Sequence, residues 1–190
     1  MGFYKYISQL WKRPKENLGK IYKERLIQWK EEPAVVRIER PTRIDRARAL
    51  GWKPKQGVIV VRVRVEKKRR MREHRSGGRR PKAFRHYEVI ELSHQVIAEQ
   101  RAARKFVNCE VVNSYWVGED GQYKWYEVIL ADRTSPAVLA DKNLSNIVKQ
   151  RGRVFRGLTS AARKSRGLRR KGKGAEKLRP SANANKGRNH

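Results

Sequence analysis

Apolar and polar positions alternate most regularly in the segment GVIVVRVRVE, at residues 57–66. Valines alternate there with Arg62 and Arg64, which predicts a strand with one buried face and one polar face. The segments FVNCEVVNSYWV and QYKWYEVIL are rich in β-branched and aromatic residues, so they predict two more strands. The glycine-flanked residues 118–121 between them are typical of a hairpin loop. AVVRIE predicts a fourth, shorter strand.

Helical spacing occupies three further segments. PKENLGKIYKERLIQWKEEP places its large apolar residues on one face, between Pro14 and Pro33. PTRIDRARALG is typical of a small helix with Thr42 as its N-cap and Gly51 as its stop. YEVIELSHQVIAEQRAARKF predicts a third helix. Its apolar face contains Val89, Leu92, Val96 and Ala103, with Ile90 and Ile97 alongside.

Four strands, with helices able to cover one face, predict an α+β fold built on a mostly antiparallel four-stranded sheet with packed helices. The stretch 66–86 and the chain from about residue 151 contain few apolar residues. Neither stretch buries enough surface to offset its own ordering entropy, so we expect both to order only on a partner. The predicted organisation is a globular domain at 1–150, which includes a long basic loop at 66–86, and an extended basic tail at 151–190.

The charge of the chain is large and unevenly distributed. The 190 residues include 48 Lys and Arg and 18 Asp and Glu, giving a formal net charge of +30. Residues 1–61 carry +9, residues 62–85 carry +10, residues 86–150 carry −2 and residues 151–190 carry +13. A compact chain with this much self-repulsion indicates a polyanionic partner, and nucleic acid is the first candidate.

Other classes of partner find little support in the sequence. No run of about 18 apolar residues is present, so we expect no membrane association. The single cysteine, Cys109, cannot form an internal disulfide, which is typical of a reducing intracellular compartment. The sequence contains no GxxxxGK, GxGxxG or HExxH motif, and its four histidines are scattered. We therefore expect no metal, cofactor, small-molecule substrate or enzymatic activity.

Two adjacent carboxylates, Glu119 and Asp120, are the best candidates for catalysis. With Glu110 as a third ligand they could hold a metal ion for phosphodiester cleavage, so a metal-dependent nuclease is one alternative. Adjacent acids between glycines are more commonly turn residues, because they hydrogen-bond to the turn backbone. A DNA-packaging protein is a further alternative, since composition alone does not distinguish it.

The basic segments favour RNA. RGLTSAARKSRGLRRKGKG, at 156–174, combines arginines with small residues, and it predicts a short helix capped by Thr159 or Ser160 and stopped at Gly167. Arginine offers a planar fork to phosphates and a flat face to unstacked bases. Helix-turn-helix and zinc-finger spacings are absent from the sequence, which disfavours duplex DNA. The candidate RNA-binding residues are Arg43, Arg46, Arg48, Lys53, Lys55, Arg62, Arg64, Lys67, Lys68, Arg69, Arg70, Arg79, Arg80, Arg156, Arg163, Lys164, Arg166, Arg169 and Arg170.

Four blocks of sequence resemble one family, in the same order along the chain. They are MGFYKYI at the start, PTRIDRARALGWKPKQG at 41–57, NSYWVGEDGQYKWYEVIL at 113–130 and RGLTSAARKSRGL at 156–168. The family is the archaeal and eukaryotic e-type of large-ribosomal-subunit protein fifteen. The resemblance implies a non-enzymatic structural constituent of the cytoplasmic large subunit, bound to large-subunit ribosomal RNA and next to other ribosomal proteins. It also implies an α+β fold with extensions that thread into RNA.

Overall fold

One antiparallel sheet forms the centre of the molecule. The computed structural model describes residues 2–72, 86–88, 90 and 92–169. The strand order is β1-β2-β4-β3, and every neighbouring pair is antiparallel. The predicted α+β fold with a four-stranded sheet is therefore confirmed. The strands are β1 (Val35–Ile38), β2 (Val58–Glu66), β3 (Cys109–Glu119) and β4 (Tyr123–Asp132).

Short helices surround this sheet. They are α1 (Phe3–Leu10), α2 (Pro14–Asn17), α3 (Gly19–Glu31), α4 (Ile44–Ala49), α5 (His94–Lys105), α6 (Pro136–Leu139), α7 (Lys142–Val148) and α8 (Ser160–Ser165). The segment between Pro14 and Pro33 is helical as predicted, although it is broken between α2 and α3. The sequence patterns did not predict α1, α6 or α7. Every described helix is too short or too polar to span a bilayer.

Helices cover both faces of the sheet, whereas the sequence predicted cover on one face. On the first face, Ala98 and Ala102 of α5 pack on valines of β2 and β4. On the second face, Trp29 of α3 and Leu144 of α7 pack around Trp125. The residues of β4 from Trp125 to Ala131 are all buried because β4 is central and covered on both sides. A three-layer arrangement of this kind also covers β2 on both faces, although the face that carries its arginines is only partly buried.

Two helix starts differ from the prediction. Arg43, not Thr42, precedes α4, and the Thr42 side chain does not cap it. The backbone N–H of Thr42 instead donates to the buried carboxylate of Glu127, at 3.0 Å. The helix α5 begins at His94, later than the apolar pattern suggested, because Ser93 caps it by accepting from the Val96 N–H.

The apolar face predicted for this helix is correct only in part. Val96 is buried, but Ile90 and Leu92 lie before the helix and are exposed. Val89 lies outside the described residues. The buried face of α5 also includes a carboxyl, Glu99, which an apolar count along the sequence cannot include.

The loop of the β3–β4 hairpin spans residues 120–122, whereas the sequence predicted residues 118–121. Gly118 belongs to β3 and lies next to a register shift in the pairing of β3 with β4. An added Cβ at Gly118 would lie 3.1 Å from the side chains of Leu26 and Trp29, so glycine favours this close approach of β3 and α3. Asp120 forms the turn itself, because its carboxylate accepts from the N–H groups of Gln122 and Tyr123 at 2.8 and 2.5 Å.

Residues 151–169 pack against the sheet domain, beyond the boundary at residue 150 that the sequence suggested. Val154 and Thr159 are buried, and Arg153 donates to the carbonyl of Val111 at 2.8 Å. The Gly152 N–H donates to the carboxylate of Glu110 at 2.8 Å. The predicted helix is confirmed: Thr159 caps α8 by accepting from the Ala162 N–H. The segment after residue 169 lies outside the described residues.

Candidate nucleic-acid interface

Two buried carboxyls determine how the basic segments attach to the sheet. Glu99 on α5 is fully buried and accepts from the hydroxyls of Ser114 and Thr159, at 2.5 and 2.6 Å. Burial raises the pKa of this carboxyl, and the two hydroxyl donors partly oppose the rise. Since Thr159 is also the N-cap of α8, Glu99 joins α5, β3 and the basic segment that carries α8.

Glu127 has the same role on the other face of the sheet. It is fully buried in β4 and accepts from the Thr42 N–H at 3.0 Å and from the Tyr115 hydroxyl at 2.5 Å. Burial raises the pKa of Glu127, and burial beside Glu127 raises the pKa of Tyr115 well above its usual range. This carboxyl therefore holds the basic segment around α4 against the sheet.

Three of the predicted RNA-binding arginines are partly covered by the protein itself. Arg62 forms two contacts with the carboxylate of Glu32, at 2.6 and 2.8 Å, and its guanidinium lies 4.6 Å from the ring centre of Trp29. Only 11% of the Arg62 side chain is exposed, so its guanidinium interacts mainly with groups of the protein itself. The polar strand face that the sequence predicted to be open is covered here by α3 and the residues after it.

Arg64 and Arg43 are also held in place by the protein. Arg64 donates to the carbonyl of Lys30 and lies 4.8 Å from the ring centre of Tyr123. Arg43 pairs with Asp45 at 3.6 Å and donates to the carbonyl of Trp116 at 3.3 Å. Burial lowers the pKa of Arg43 although Asp45 partly opposes it.

Lys53 and Lys55 share one carboxylate. Their Nζ atoms lie 2.7 and 3.1 Å from Oδ2 of Asp141, the N-cap residue of α7. These two hydrogen bonds hold the pKa of Asp141 well below its usual range. Both lysines keep more than two-fifths of their side chains exposed, with 44% for Lys53 and 43% for Lys55, so they still reach solvent.

The remaining described candidates lie mainly at the surface. Arg46 and Arg48 are exposed on α4. Lys68, Arg69 and Arg70 are exposed after β2, and Arg70 pairs with Glu88 at 3.1 Å. Lys67 is less accessible and donates to the Asp120 carbonyl. Exposed cations on and around α8 are Arg156, Arg163, Lys164, Arg166 and Arg169. The candidates Arg79, Arg80 and Arg170 lie outside the described residues.

The exposed cations around α8 differ in how tightly they are held. Arg166 donates to the Gly157 carbonyl at 2.8 Å, Arg156 donates to the Arg151 carbonyl at 2.9 Å, and Arg169 donates to the Ser160 hydroxyl. Arg163 and Lys164 make no side-chain hydrogen bond or ion pair with any other described residue. They are therefore the cations of this group that are most available to an external anion.

The carboxylates considered for catalysis do not meet. Asp120 pairs with Lys30 at 2.6 Å, and Glu119 with Lys124 at 3.6 Å. Glu110 lies at the opposite end of β3, about 30 Å away at the rise of a strand, where it binds the backbone of the α8 segment. Within the described ranges, no group of three His, Cys, Asp or Glu side chains is arranged to hold a metal ion. The turn interpretation of Asp120 is thus confirmed.

Sequence patterns missed other cations that line surface grooves. Arg37 and Arg40 lie with Lys55 along a groove of about 900 Å³ beside the end of β1. Lys105, at the end of α5, donates to the carbonyl of Val35 on the outer edge of the sheet at 2.8 Å. No local motif identifies these residues, because the groove forms only where β2 continues past the last paired residue of β1.

The surface just described has a surplus of exposed cations, while many of the acids are buried or paired. A surface of this kind on an α+β protein is typical of nucleic-acid-binding proteins. Comparison with known families then identifies it: the Ribosomal L15e family model, described as Ribosomal L15, matches residues 2–185, and the chain belongs to that family. The family resemblance read from the four sequence blocks is therefore confirmed.

Curated relatives are similar in sequence over nearly the whole chain. The large ribosomal subunit protein eL15 of Nanoarchaeum equitans is 56% identical over 193 residues, covering 97% of this chain and 98% of the relative. The protein of the same name from Methanocella arvoryzae is 53% identical, covering 95% and 94%. That of Methanocorpusculum labreanum is 51% identical, covering 97% and 96%.

Proposed function

We propose that this protein is a structural constituent of the cytoplasmic large ribosomal subunit, where it binds and stabilises folded large-subunit ribosomal RNA. It has no catalytic activity of its own in this role, and neighbouring ribosomal proteins are further contacts. The relatives that match nearly its whole length are named as proteins of the large subunit. The proposal extends that name to the RNA contacts of this chain.

The proposal rests on the different positions of the acidic and the basic side chains. Buried acids such as Glu99, Glu110 and Glu127 accept hydrogen bonds that hold basic segments to the sheet. Residues 151–169 contain seven arginines and lysines and no acid. The acids therefore stabilise the fold, while cations remain at the surface without enough carboxylates to neutralise them. A polyphosphate chain supplies the missing negative charge.

The most available surface cations give a direct test. Log K falls as log salt rises, and each phosphate contact contributes roughly 0.7 to 0.9 to the steepness of this line. If both side chains contact phosphates, the double substitution Arg163→Gln and Lys164→Gln should therefore make the line for large-subunit ribosomal RNA shallower by about 1.4 to 1.8. Glutamine is a good helix former, so α8 is retained.

A charge-preserving control separates electrostatics from structure. Exchanging the two cations, Arg163→Lys with Lys164→Arg, keeps the charge and should keep the salt slope within about half a unit. An unchanged slope in the glutamine variant would show that α8 does not contact the RNA backbone. Failure of the wild-type protein to bind large-subunit ribosomal RNA would reject the proposed function itself.

A further inference from the structure

An exposed aromatic stripe lies on α1 and has no role in the core. Its members are Phe3, Tyr4, Tyr6 and Leu10, with exposed fractions of 68%, 43%, 58% and 43%. All eight residues of α1 are described, and none is buried. Helical spacing brings Phe3, Tyr6 and Leu10 to one side of the helix. Tyr4 lies about 100° around the helix from Phe3, and its ring contacts that of Phe3 at a ring-centre distance of 5.8 Å. A contiguous apolar surface on so polar a chain indicates a binding surface.

Contacts at its far end hold the helix that presents this stripe. Trp11, just after α1, is buried edge-on against Tyr22, with a ring-centre distance of 6.5 Å, and Arg43 lies over it at 5.1 Å. The Asn17 amide donates to the carbonyls of Gln9 and Leu10 at 3.1 and 3.2 Å. These contacts fix the direction of α1 without using the stripe. The stripe is thus pre-organised for a partner.

A cleft of about 630 Å³ separates α1 from α4. Tyr4 and Arg46 both line it, and Trp116 is part of its lining. The one acidic residue among the described residues of its lining, Asp45, is only 9% exposed and pairs with Arg43. The cleft therefore combines a tyrosine ring and an arginine with a neutralised carboxylate.

The positive charge around the stripe favours a negatively charged partner. Residues 2–15 include Lys5, Lys12, Arg13 and Lys15 and no acid. A basic surface of this kind repels the basic proteins that accompany a polyanion, and it attracts the polyanion itself. Three of the four stripe residues are aromatic, and aromatic faces with nearby arginine are typical of sites that stack unpaired bases.

We propose that the aromatic stripe and the α1–α4 cleft bind unpaired, unstacked nucleotides of RNA. This inference rests on the proposed function, since it names the part of an RNA that α1 contacts. Bases stack on Phe3 and Tyr6 along the helix and on Tyr4 at the cleft, where Arg46 contacts a base face or a phosphate from the opposite wall. Duplex RNA does not fit, because its base faces are already stacked inside the helix.

The test uses the full-length protein with a single-stranded oligouridylate and a blunt-ended RNA duplex carrying the same number of phosphates. Binding is measured by fluorescence anisotropy at high salt, where the phosphate contribution is smallest. The variant Phe3→Leu, Tyr4→Leu, Tyr6→Leu keeps the charge, the apolar surface and the helix propensity but removes the rings. We expect its affinity for oligouridylate to fall about five- to a hundredfold, with its affinity for the duplex unchanged.

A ring-preserving variant provides the matched control. Tyr4→Phe with Tyr6→Phe should bind both RNAs as the wild type does, because stacking needs the ring and not the hydroxyl. The urea unfolding midpoint of the leucine variant should equal that of the wild type, since α1 buries none of these side chains.

The outcomes separate the two proposals. If the wild type binds RNA but the leucine variant keeps full affinity for oligouridylate, the stripe does not stack bases and the inference is wrong. If that variant also fails to enter the large subunit, the stripe contacts a neighbouring protein instead. If the wild type binds neither RNA, the proposed function itself is wrong.

Discussion

The buried hydroxyl of Thr159 is the smallest group whose removal should release the basic segment from the sheet domain. It donates to Glu99 at 2.6 Å and accepts from the Ala162 N–H at 3.3 Å. Thr159→Val keeps the shape and volume of the side chain but removes both hydrogen bonds. The segment that would be released carries α8 and its exposed cations.

The expected cost follows from these two bonds. Loss of an N-cap hydroxyl costs about 0.5 to 2 kcal/mol. Leaving a buried acceptor without its donor costs about 1 to 3 kcal/mol. We therefore expect Thr159→Val to destabilise the attachment of α8 by about 2 to 4 kcal/mol, below the sum of the upper limits because the Glu99 carboxyl keeps its Ser114 donor.

Amide hydrogen exchange measures this attachment locally. Protection of the amides in residues 162–168 should fall by about 30- to 1,000-fold in Thr159→Val, while the β4 amides change little. Thr159→Ser keeps the hydroxyl and loses one methyl group, so it should cost only about 0.8 kcal/mol. Equal protection in the valine and serine variants would refute the hydroxyl's role, and a uniform loss in every strand would indicate global destabilisation instead.

Three further substitutions test other parts of the fold. Gly118→Ala should destabilise the protein by about 1 to 3 kcal/mol in urea unfolding, because the new methyl would lie 3.1 Å from side chains of α3. Arg62→Lys should also destabilise it, because lysine cannot reproduce the two-contact pair with Glu32 and the stacking on Trp29; a melting temperature equal to wild type would contradict this. Asp141→Asn should lower stability at neutral pH, because the depressed pKa of Asp141 makes its charged form stabilising there; the difference from wild type should disappear as the pH falls through that pKa.

Local patterns predicted the parts of the fold that depend on neighbours in sequence. The alternation in β2, the β3–β4 hairpin and the Thr159 cap of α8 each follow from residues within a few positions of one another. The pattern could not predict that Arg62 is covered, because a polar strand position looks the same facing water or facing a buried carboxylate. Its partner Glu32 lies 30 residues away in sequence.

The carboxyls that attach the basic segments were missed for the same reason. Glu127 binds the Thr42 backbone across 85 residues, and Glu99 binds Thr159 across 60. The acids that stood out in the sequence, Glu119 and Asp120, form a turn and surface ion pairs. Composition thus predicted that the chain needs a polyanion, whereas the three-dimensional arrangement decides which cations remain available to it.

Sedimentation of the full-length protein in a cell lysate tests the central claim most directly. On a sucrose gradient at low salt, the protein should travel with the large ribosomal subunit. It should move to the top of the gradient after ribonuclease treatment or in high salt, because its attachment depends on RNA phosphates. A protein that stays at the top at low salt, in a lysate with intact large subunits, would contradict the account.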